Sequence, residues 1–174
     1  MTNHLRAKMK NGFTLIEALS AIFVITIGLI SGITLITRTI SFMSLGSAKL
    51  TASYLAQEGI EIVRNIRDNN WLDSSIPSWD FGLDTESYRA DFEDSVLILD
   101  SGTTHLNIDN QGFYRYDNSF PEAPFTRKIT IDRDPFCDGE LYGCIKVTVD
   151  VGWEQNGEPY SVSAQEYLYN WYQN

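Results

Sequence analysis

The longest hydrophobic run of the chain lies close to its N-terminus. From Phe13 to Thr37 the sequence has 25 residues and a single charge, Glu17. A helix needs about 20 apolar residues to cross the hydrocarbon core of a bilayer. Glycine and β-branched residues, which are common in membrane helices, recur through the run. The pattern therefore predicts a membrane-spanning helix over 13–37.

Beyond Thr37 the helical pattern continues without a stop and becomes amphipathic. Apolar or small residues recur every three or four positions in one stripe: Leu45, Ala48, Ala52, Leu55, Gly59, Ile62 and Ile66. The opposite face carries Lys49, Gln57, Glu61 and Arg64. The pattern predicts one helix from Phe13 to Arg67, about 80 Å long at 1.5 Å per residue. Its small residues would let a sheet lie close, although a coiled-coil or bundle helix would show the same stripe.

From residue 91 the period changes from about 3.6 to two, which is typical of strands. The predicted strands are Val96–Leu99, Thr104–Ile108, Phe113–Tyr116, Phe125–Asp132, Ile145–Trp153 and Tyr160–Tyr169. The clearest alternation places Ile145, Val147, Val149, Val151 and Trp153 on one face. Turn residues over 109–112 and 155–158 predict hairpins. An antiparallel sheet that covers the helix follows, with 68–90 as the connecting loop.

The charges are distributed unevenly along the chain. Arg6, Lys8 and Lys10 are the only charged residues before Glu17, and all 23 acidic residues lie from Glu17 onward. The positive-inside rule therefore places the N-terminus in the cytoplasm and the acidic C-terminal part outside. A net charge of −10 argues against nucleic-acid binding. The absence of a P-loop and of a GxGxxG motif disfavours a nucleotide-binding enzyme.

Two simpler interpretations of the segment 13–37 compete with a specialised one. A secretory signal peptide has an apolar core of about 7–15 residues, so this run is too long and too far from the small residues at 46–48. A plain membrane anchor fits the length but gives no role to Glu17. A carboxylate at the centre of a spanning helix costs about 2.5–3.5 kcal/mol, and less near its end.

The residues at the start of the apolar run carry a motif. The string Lys10-Asn11-Gly12-Phe13-Thr14-Leu15-Ile16-Glu17 resembles the class III signal of type IV prepilins and type II secretion pseudopilins. The resemblance covers roughly Lys8 to Gly32, and beyond that only the architecture is similar. Many members of the family carry a proline near residue 34, where this chain has Thr34. Gly28 and Gly32 could supply the flexible point instead, or a close helix contact.

The resemblance implies a processing site and an assembly residue. In the family, a prepilin peptidase cuts after the glycine and the new N-terminal residue is N-methylated. Here this implies cleavage between Gly12 and Phe13 and methylation of Phe13. A glutamate at the fifth mature position corresponds to Glu17. In a filament core of low dielectric, the α-amine of one subunit would pair with Glu17 of a neighbour.

The resemblance also implies a pilin-like α+β fold: a long N-terminal helix, its first half transmembrane, packed on an antiparallel β-sheet head. The segments would be a leader over 1–12, a transmembrane and polymerisation half-helix over 13–37, and an amphipathic half-helix over 38–67. A connecting loop over 68–90 and the head over 91–174 would follow. The protein would lie in the inner membrane with its C-terminus outward, then join an extracellular filament. Its partners would be other pilin subunits, the prepilin peptidase and N-methyltransferase, an inner-membrane assembly platform and membrane lipid.

Two cysteines lie in the part predicted to be exported, where oxidation is possible. Cys137 and Cys144 are separated by six residues between two predicted strands, so a disulfide would close the end of a hairpin. Such a ring contributes about 2.5 kcal/mol in the chain-entropy model. Free thiols are the alternative. Zinc is disfavoured because the spacing is too wide for a knuckle and no histidine is near.

Other candidate chemistry is weak. Four acidic residues, Asp132, Asp134, Asp138 and Glu140, surround the cysteines, but their spacing is not that of an EF-hand, so a solvated acidic loop is favoured over a calcium site. His105 is the only histidine past the leader, and its place in a predicted strand favours a surface residue over a catalytic base. We therefore expect no catalytic residue, no metal and no cofactor, and a protein that is not an enzyme.

These observations predict a structural subunit of a type IV pilus, of the minor-pilin kind, with a type II secretion pseudopilin as the alternative. The segment Gln57-Glu58-Gly59 and the ordinary size of the head favour the minor pilin. A membrane-anchored extracytoplasmic binding domain is the alternative from a different class. Glu17 discriminates, because a simple anchor has no need of it.

Overall fold

A computed structural model of the chain describes residues 12–100, 102, 104–133 and 143–171. The chain divides into two compact units, Met1–Ser44 and Leu45–Asn174. A single helix, α1, spans Leu15–Leu72 and contributes residues to both units. It is long and apolar enough to cross a membrane. All strands belong to the second unit, so the fold is α+β, as the sequence predicts.

The described residues of the second unit form one antiparallel sheet of seven strands. In chain order these are β1 (Ser87–Arg89), β2 (Ile98–Leu99), β3 (His105–Ile108), β4 (Tyr114–Arg115), β5 (Glu122–Asp132), β6 (Cys144–Gln155) and β7 (Glu158–Tyr169). β6 lies between β5 and β7, and β1 and β3 share the other edge of β5. β2 pairs with β1, and β4 pairs with β3. The long strands β5, β6 and β7 therefore form the centre of the head.

The predicted alternation of β6 is confirmed. Ile145, Val147, Val149 and Val151 are fully buried, and Trp153 is 6% exposed. They face the C-terminal part of α1, where the predicted stripe from Ala52 to Ile66 is buried as well. Both predicted hairpins also form. Between β6 and β7, Asn156 and Gly157 have φ values of 56° and 79°, as a two-residue turn of the primed type requires.

The helix and the sheet approach each other closely at Gly59. A Cβ atom at this position would lie 2.8 Å from Cγ1 of Val149, which is closer than carbon atoms can pack. The expectation that small residues let the sheet lie close to the helix is confirmed here. A glycine inside a helix costs about 1 kcal/mol relative to alanine, so Gly59 permits this contact but lowers the stability of the helix itself.

The structure corrects the predicted connecting segment 68–90 at both ends. α1 continues to Leu72, five residues past the predicted end at Arg67. The side-chain amide of Asn70 donates to the backbone oxygens of Trp79 and Phe81, at 3.0 and 2.9 Å. These tertiary contacts hold a turn-forming sequence in helical form, which local preference does not predict.

The other correction is β1, a strand that the sequence does not predict. It has three residues, too few for a period of two to stand out, and it forms because β2 and β5 pair with it on either side. β5 also begins three residues earlier than predicted, at Glu122. Pro124, within β5, lies where the pairing with β3 shifts register between His105 and Asn107. A proline has no amide proton to donate, and strands tolerate it at such irregularities.

Candidate functional site

The predicted processing site lies at the beginning of the described chain. Gly12, Phe13 and Thr14 precede the helix and have no regular secondary structure. Phe13 is 80% exposed, and a Cβ placed on Gly12 would meet nothing within 4 Å. The peptide bond between Gly12 and Phe13 is therefore open to solvent in this chain. Residues 1–11 of the leader lie outside the described part, and cleavage and methylation remain predictions.

Glu17 lies in the first turn of α1, and Thr14 caps the helix. The backbone N–H of Glu17 donates to Oγ1 of Thr14 at 3.3 Å, which satisfies one of the open donors of the first turn. A carboxylate in the first turn also interacts favourably with the positive end of the helix dipole. Glu17 is exposed and is the only acidic residue of α1 before Glu58. The carboxylate can therefore stabilise the start of the helix and remains accessible to a cation from another chain.

The helix between Phe13 and Met43 exposes its apolar side chains on every side. Each large hydrophobic side chain in this stretch is at least 51% exposed. A soluble monomer rarely exposes a continuous apolar surface of this extent. Gly28 and Gly32 have open space around them, and the helix is regular through both residues and through Thr34. The helix is thus unbroken at this position, and a flexible point at these glycines remains a prediction.

Six hydroxyl groups within this stretch are satisfied inside the helix. Oγ1 of Thr26 donates to the backbone oxygen of Ile22 at 2.7 Å, four residues earlier. Thr34, Thr37, Thr39 and Ser41 make the same bond one turn back, and Ser20 bonds to the residue three positions earlier. An unsatisfied polar group costs several kcal/mol in hydrocarbon, so these bonds adapt the helix to an apolar environment.

The second half of α1 is tied to the sheet by an ion pair that the sequence did not reveal. The side chain of Arg127, on β5, is fully buried, and its Nη1 lies 2.7 Å from Oε1 of Glu58. Its Nη2 donates to the backbone oxygen of Ala90 at 2.6 Å. The hydroxyl of Tyr116 donates to the backbone oxygen of Arg127 at 2.7 Å. The only sign of this ion pair in the sequence is that Arg127, a charged residue, occupies an inward-facing position of a strand.

Asp91 is linked to this ion pair through Tyr116. The backbone N–H of Tyr116 donates to Oδ1 of Asp91 at 2.8 Å. Burial raises the pKa of Asp91, although the hydrogen bond from Tyr116 lowers it.

Farther along α1, Arg64 donates to both carboxylate oxygens of Glu166 on β7, at 2.6 Å. Hydrogen bonding to Glu166 raises the pKa of Arg64, so this link stays charged.

The remaining candidate residues from the sequence form no metal-binding group within the part of the chain that the structure describes. His105 begins β3 with its side chain 44% exposed, and its Nδ1 lies 3.2 Å from the backbone oxygen of Ala123. It is a strand surface residue, as predicted. Within the described ranges, no group of three or more His, Cys, Asp or Glu side chains could hold a metal ion. Asp132 ends β5, whereas Asp134, Asp138 and Glu140 lie outside the described residues.

The predicted disulfide can be placed only in part. Cys144 begins β6, opposite Tyr169 of β7, and is 3% exposed. Cys137 lies outside the described residues, so its pairing with Cys144 remains a prediction. The buried position of Cys144 would protect a disulfide from reducing agents in solution.

The comparisons with known proteins do not add a family to this description. The chain matches no protein-family model, no curated protein and no solved structure. The prepilin interpretation therefore depends on the motif around Gly12 and on the character of α1.

Proposed function

We propose that this chain is a structural subunit of a type IV pilus or a related filament, of the minor-pilin kind, and not an enzyme. The observation that carries the proposal is the apolar surface of α1 from Phe13 to Met43, which no other described part of the chain covers. A membrane would cover this surface before assembly, and the helices of neighbouring subunits would cover it afterwards. The Gly12-Phe13 sequence and the first-turn Glu17 lie at the N-terminal end of this surface, where the prepilin motif has its processing and assembly residues.

In this function the chain passes through two states. The inner membrane first holds α1 with its N-terminus in the cytoplasm, where the prepilin peptidase and N-methyltransferase cleave after Gly12 and methylate Phe13. The assembly platform then transfers the subunit into the filament. There the α-amine of Phe13 in one subunit neutralises Glu17 in another, and the head covers the outside.

A type II secretion pseudopilin would use the same signal and the same helix. The difference lies in which filament incorporates the chain. Antibody detection of the chain in surface pili sheared from cells, compared with filaments from cells that overexpress the secretion system, distinguishes the two.

Processing is the direct test. We expect mass spectrometry of the membrane fraction, in cells that express a prepilin peptidase, to find a chain that begins with methylated Phe13. Gly12→Glu should block cleavage, because a charged side chain replaces a hydrogen atom next to the cut bond. Gly46→Glu is the matched control: it places the same side chain on an exposed helical glycine with open space around it, and it should be processed normally. An intact Met1 terminus in the parent chain would refute the proposal.

A further inference from the structure

The sheet of the head ends on one side at β7, and this edge is open. β7 pairs with β6 over twelve successive residue pairs without a shift of register, and no other described strand pairs with β7. Proteins usually protect such an edge with lysine, proline, a bulge or a covering loop, because its backbone groups are a template for another strand. From residue 160 to residue 165, β7 contains no charge and no proline. β7 is therefore a long strand whose edge no described part of the chain protects.

The direction of the backbone groups along β7 follows from one hydrogen bond. The backbone N–H of Asn170 donates to the backbone oxygen of Gly143 at 3.1 Å, which continues the register of β6 and β7 by one pair. Hydrogen-bonded and non-hydrogen-bonded pairs alternate in an antiparallel ladder. The even-numbered residues of β7 therefore bond to β6, and the odd-numbered residues direct their backbone groups towards the open edge. Ser161, Ser163 and Gln165 each offer an N–H and a C=O there.

The helix-facing row of side chains on β7 is incompletely covered. Tyr160, Val162 and Ala164 are partly buried and pack against the core, whereas Val149 and Val151, on β6, are fully buried. The difference arises because β7 has a described neighbour on one side only. Pairs of apolar side chains on adjacent strands stabilise a sheet, so a further strand with apolar residues on this face would complete the row.

The beginning of β7 carries negative charge that nothing nearby balances. Glu158 begins the strand, and Glu154 on β6 lies opposite Pro159. Both glutamates are exposed, and neither belongs to an ion pair between described residues. A basic side chain at the corresponding end of an added strand would therefore meet two carboxylates.

A second copy of this chain fits the edge poorly. Two copies paired antiparallel through β7 are related by a twofold axis perpendicular to the sheet, so the α1 segments of the two heads would run in opposite directions. Two chains inserted into one membrane with the same orientation cannot adopt this arrangement, and α1 is long and apolar enough to be such an anchor. Parallel pairing would place the two helices on opposite faces of the joined sheet, so the apolar row of one copy would continue the polar row of the other.

The other edge strands do not match β7 either. β2 and β4 have two residues each, whereas β7 has twelve. Asp94 and Asp100 also flank the segment that contains β2, so a second copy would bring further acidic residues towards Glu154 and Glu158. These observations favour a segment of a different chain as the occupant of the edge.

We propose that the open edge of β7 binds an extended, basic segment of a different protein chain, which joins the sheet as a further strand. Backbone hydrogen bonds to the three outward-directed residues hold the segment, as in other cases of strand addition. Its alternate apolar side chains cover the helix-facing row, and its basic end meets Glu154 and Glu158. The inference goes beyond filament assembly and does not depend on it, because every group that binds the segment belongs to the head.

The probe is a fluorescently labelled eight-residue peptide of alternating valine and threonine with lysine at both ends. We expect it to bind the full-length chain in detergent with a Kd below about 1 mM by fluorescence anisotropy. The same peptide with glutamate at both ends should bind at least about threefold more weakly, because its charges repel the two glutamates. A lysine peptide N-methylated at its four central amides has the same side chains but lacks the donors that pair with an edge, and it should not bind.

Amide hydrogen exchange, measured residue by residue by NMR, identifies the edge. The bound lysine peptide should slow the exchange of the amides of Ser161, Ser163 and Gln165 by about tenfold or more. The amides of Val162 and Ala164 already bond to β6, so their exchange should not change. Binding elsewhere on the head does not produce this alternation.

One substitution tests the edge from the side of the protein. Ser163→Pro removes an N–H from the open edge and none from the ladder with β6, so the sheet should fold and the affinity for the lysine peptide should fall by about tenfold or more. Ser163→Thr is the matched control, because it keeps the N–H and suits a strand, and it should bind like the parent. The N-methylated peptide keeps the test decisive if Ser163→Pro fails to fold.

The proposal is overturned if the lysine peptide does not bind at about 5 mM, or if the N-methylated peptide binds equally well. It is also overturned if the glutamate peptide binds as tightly, or if a folded Ser163→Pro chain keeps the affinity of the parent. Sedimentation of the chain alone in detergent tests the other occupant. Dimers that Ser163→Pro dissociates would show that a second copy fills the edge, and they would overturn the proposal as well.

Discussion

The two halves of α1 have the same secondary structure and opposite surroundings. Before Ser44 the helix exposes every large apolar side chain, whereas after Leu45 it buries a stripe that runs from Ala52 to Ile66. In the first half of the helix, the hydroxyl groups of Thr34 and Thr37 donate to backbone oxygens one turn earlier. Its charged groups in the second half bond to the sheet, as Glu58 does to Arg127. The second half therefore has its partners within the chain, whereas the first half has none among the described residues.

This comparison predicts that substitutions in the two halves affect different properties. A change after Leu45 should alter the stability of the isolated protein. A change before Ser44 should leave that stability intact and alter insertion or assembly.

Glu58→Ala should destabilise the head by about 3–5 kcal/mol, because it leaves the fully buried guanidinium of Arg127 without its carboxylate. Thermal or denaturant unfolding of the full-length chain in detergent, followed by near-ultraviolet circular dichroism, measures the loss. Glu61→Ala is the matched control on the same helix. Its carboxylate is 62% exposed and pairs with Arg64, so its removal should cost no more than about 1 kcal/mol.

A second substitution distinguishes a buried charge from a general packing defect. Arg127→Met in the Glu58→Ala background removes the unpaired guanidinium and should recover much of the lost stability. If the double variant is as unstable as the two single losses added together, the ion pair does not act as a unit. Membrane insertion of all these variants should equal that of the parent chain.

Glu17→Ala, in contrast to Glu58→Ala, should leave the stability of the head unchanged and impair assembly. Insertion into the membrane should be intact, since the substitution removes a charge from an apolar helix. Incorporation into filaments should fall by more than about a hundredfold, because the α-amine of a neighbouring subunit loses its carboxylate in a low-dielectric core. Sheared surface filaments, measured at equal membrane levels, report the loss. Equal incorporation of the variant and the parent would favour an anchored domain that never polymerises.

Two glycines of α1 allow a matched test of packing. Gly59→Ala should destabilise the head by about 1–2 kcal/mol, because its Cβ would lie 2.8 Å from Cγ1 of the buried Val149. Gly46→Ala should stabilise the helix by up to about 1 kcal/mol, since nothing lies within 4 Å of its Cβ. The same change thus has opposite signs at two positions of one helix. Val149→Ala combined with Gly59→Ala should cost less than the sum of the two, as expected for residues in contact.

Much of this fold could be predicted from local pattern. The alternation along β6 predicts its buried face, and the Asn156-Gly157 pair predicts the hairpin that follows. The three-and-four spacing of the helix predicts which residues face the sheet. These features are local because the period of side-chain burial follows directly from the geometry of the strand or helix.

The rest depends on contacts between distant residues. Glu58 and Arg127 are 69 positions apart, so no periodicity relates them. β1 forms because neighbouring strands pair with it, and the last turn of α1 persists because Asn70 bonds to backbone oxygens nine and eleven residues away. The way in which β1 and β3 share one edge of β5 is likewise a property of the assembled sheet.

The stability of the head should depend on pH, whereas the helix before Ser44 should respond little. In the head, backbone hydrogen bonds from Phe113 and Gln111, together with Arg115, hold the pKa of Asp109 below its ordinary value of 3.8. The folded state then binds this proton more weakly than the unfolded state does. The resulting stability is present above about pH 4 and is lost as pH falls through the lowered pKa. The unfolding temperature of the head should therefore fall as the solution is acidified below pH 4.

Asp109→Asn should reduce this acid sensitivity, because an amide oxygen still accepts the backbone N–H groups and no longer titrates. Asp91 provides the contrast, since burial raises its pKa and its charged form therefore disfavours the folded state above that pKa. Asp91→Asn should accordingly raise the unfolding temperature at pH 7 and leave the loss below pH 4 in place. The helical signal of the segment before Ser44, where Glu17 is the only acidic residue, should change little over the same range. An Asp109→Asn chain with the full acid sensitivity of the parent would show that other carboxylates control the transition.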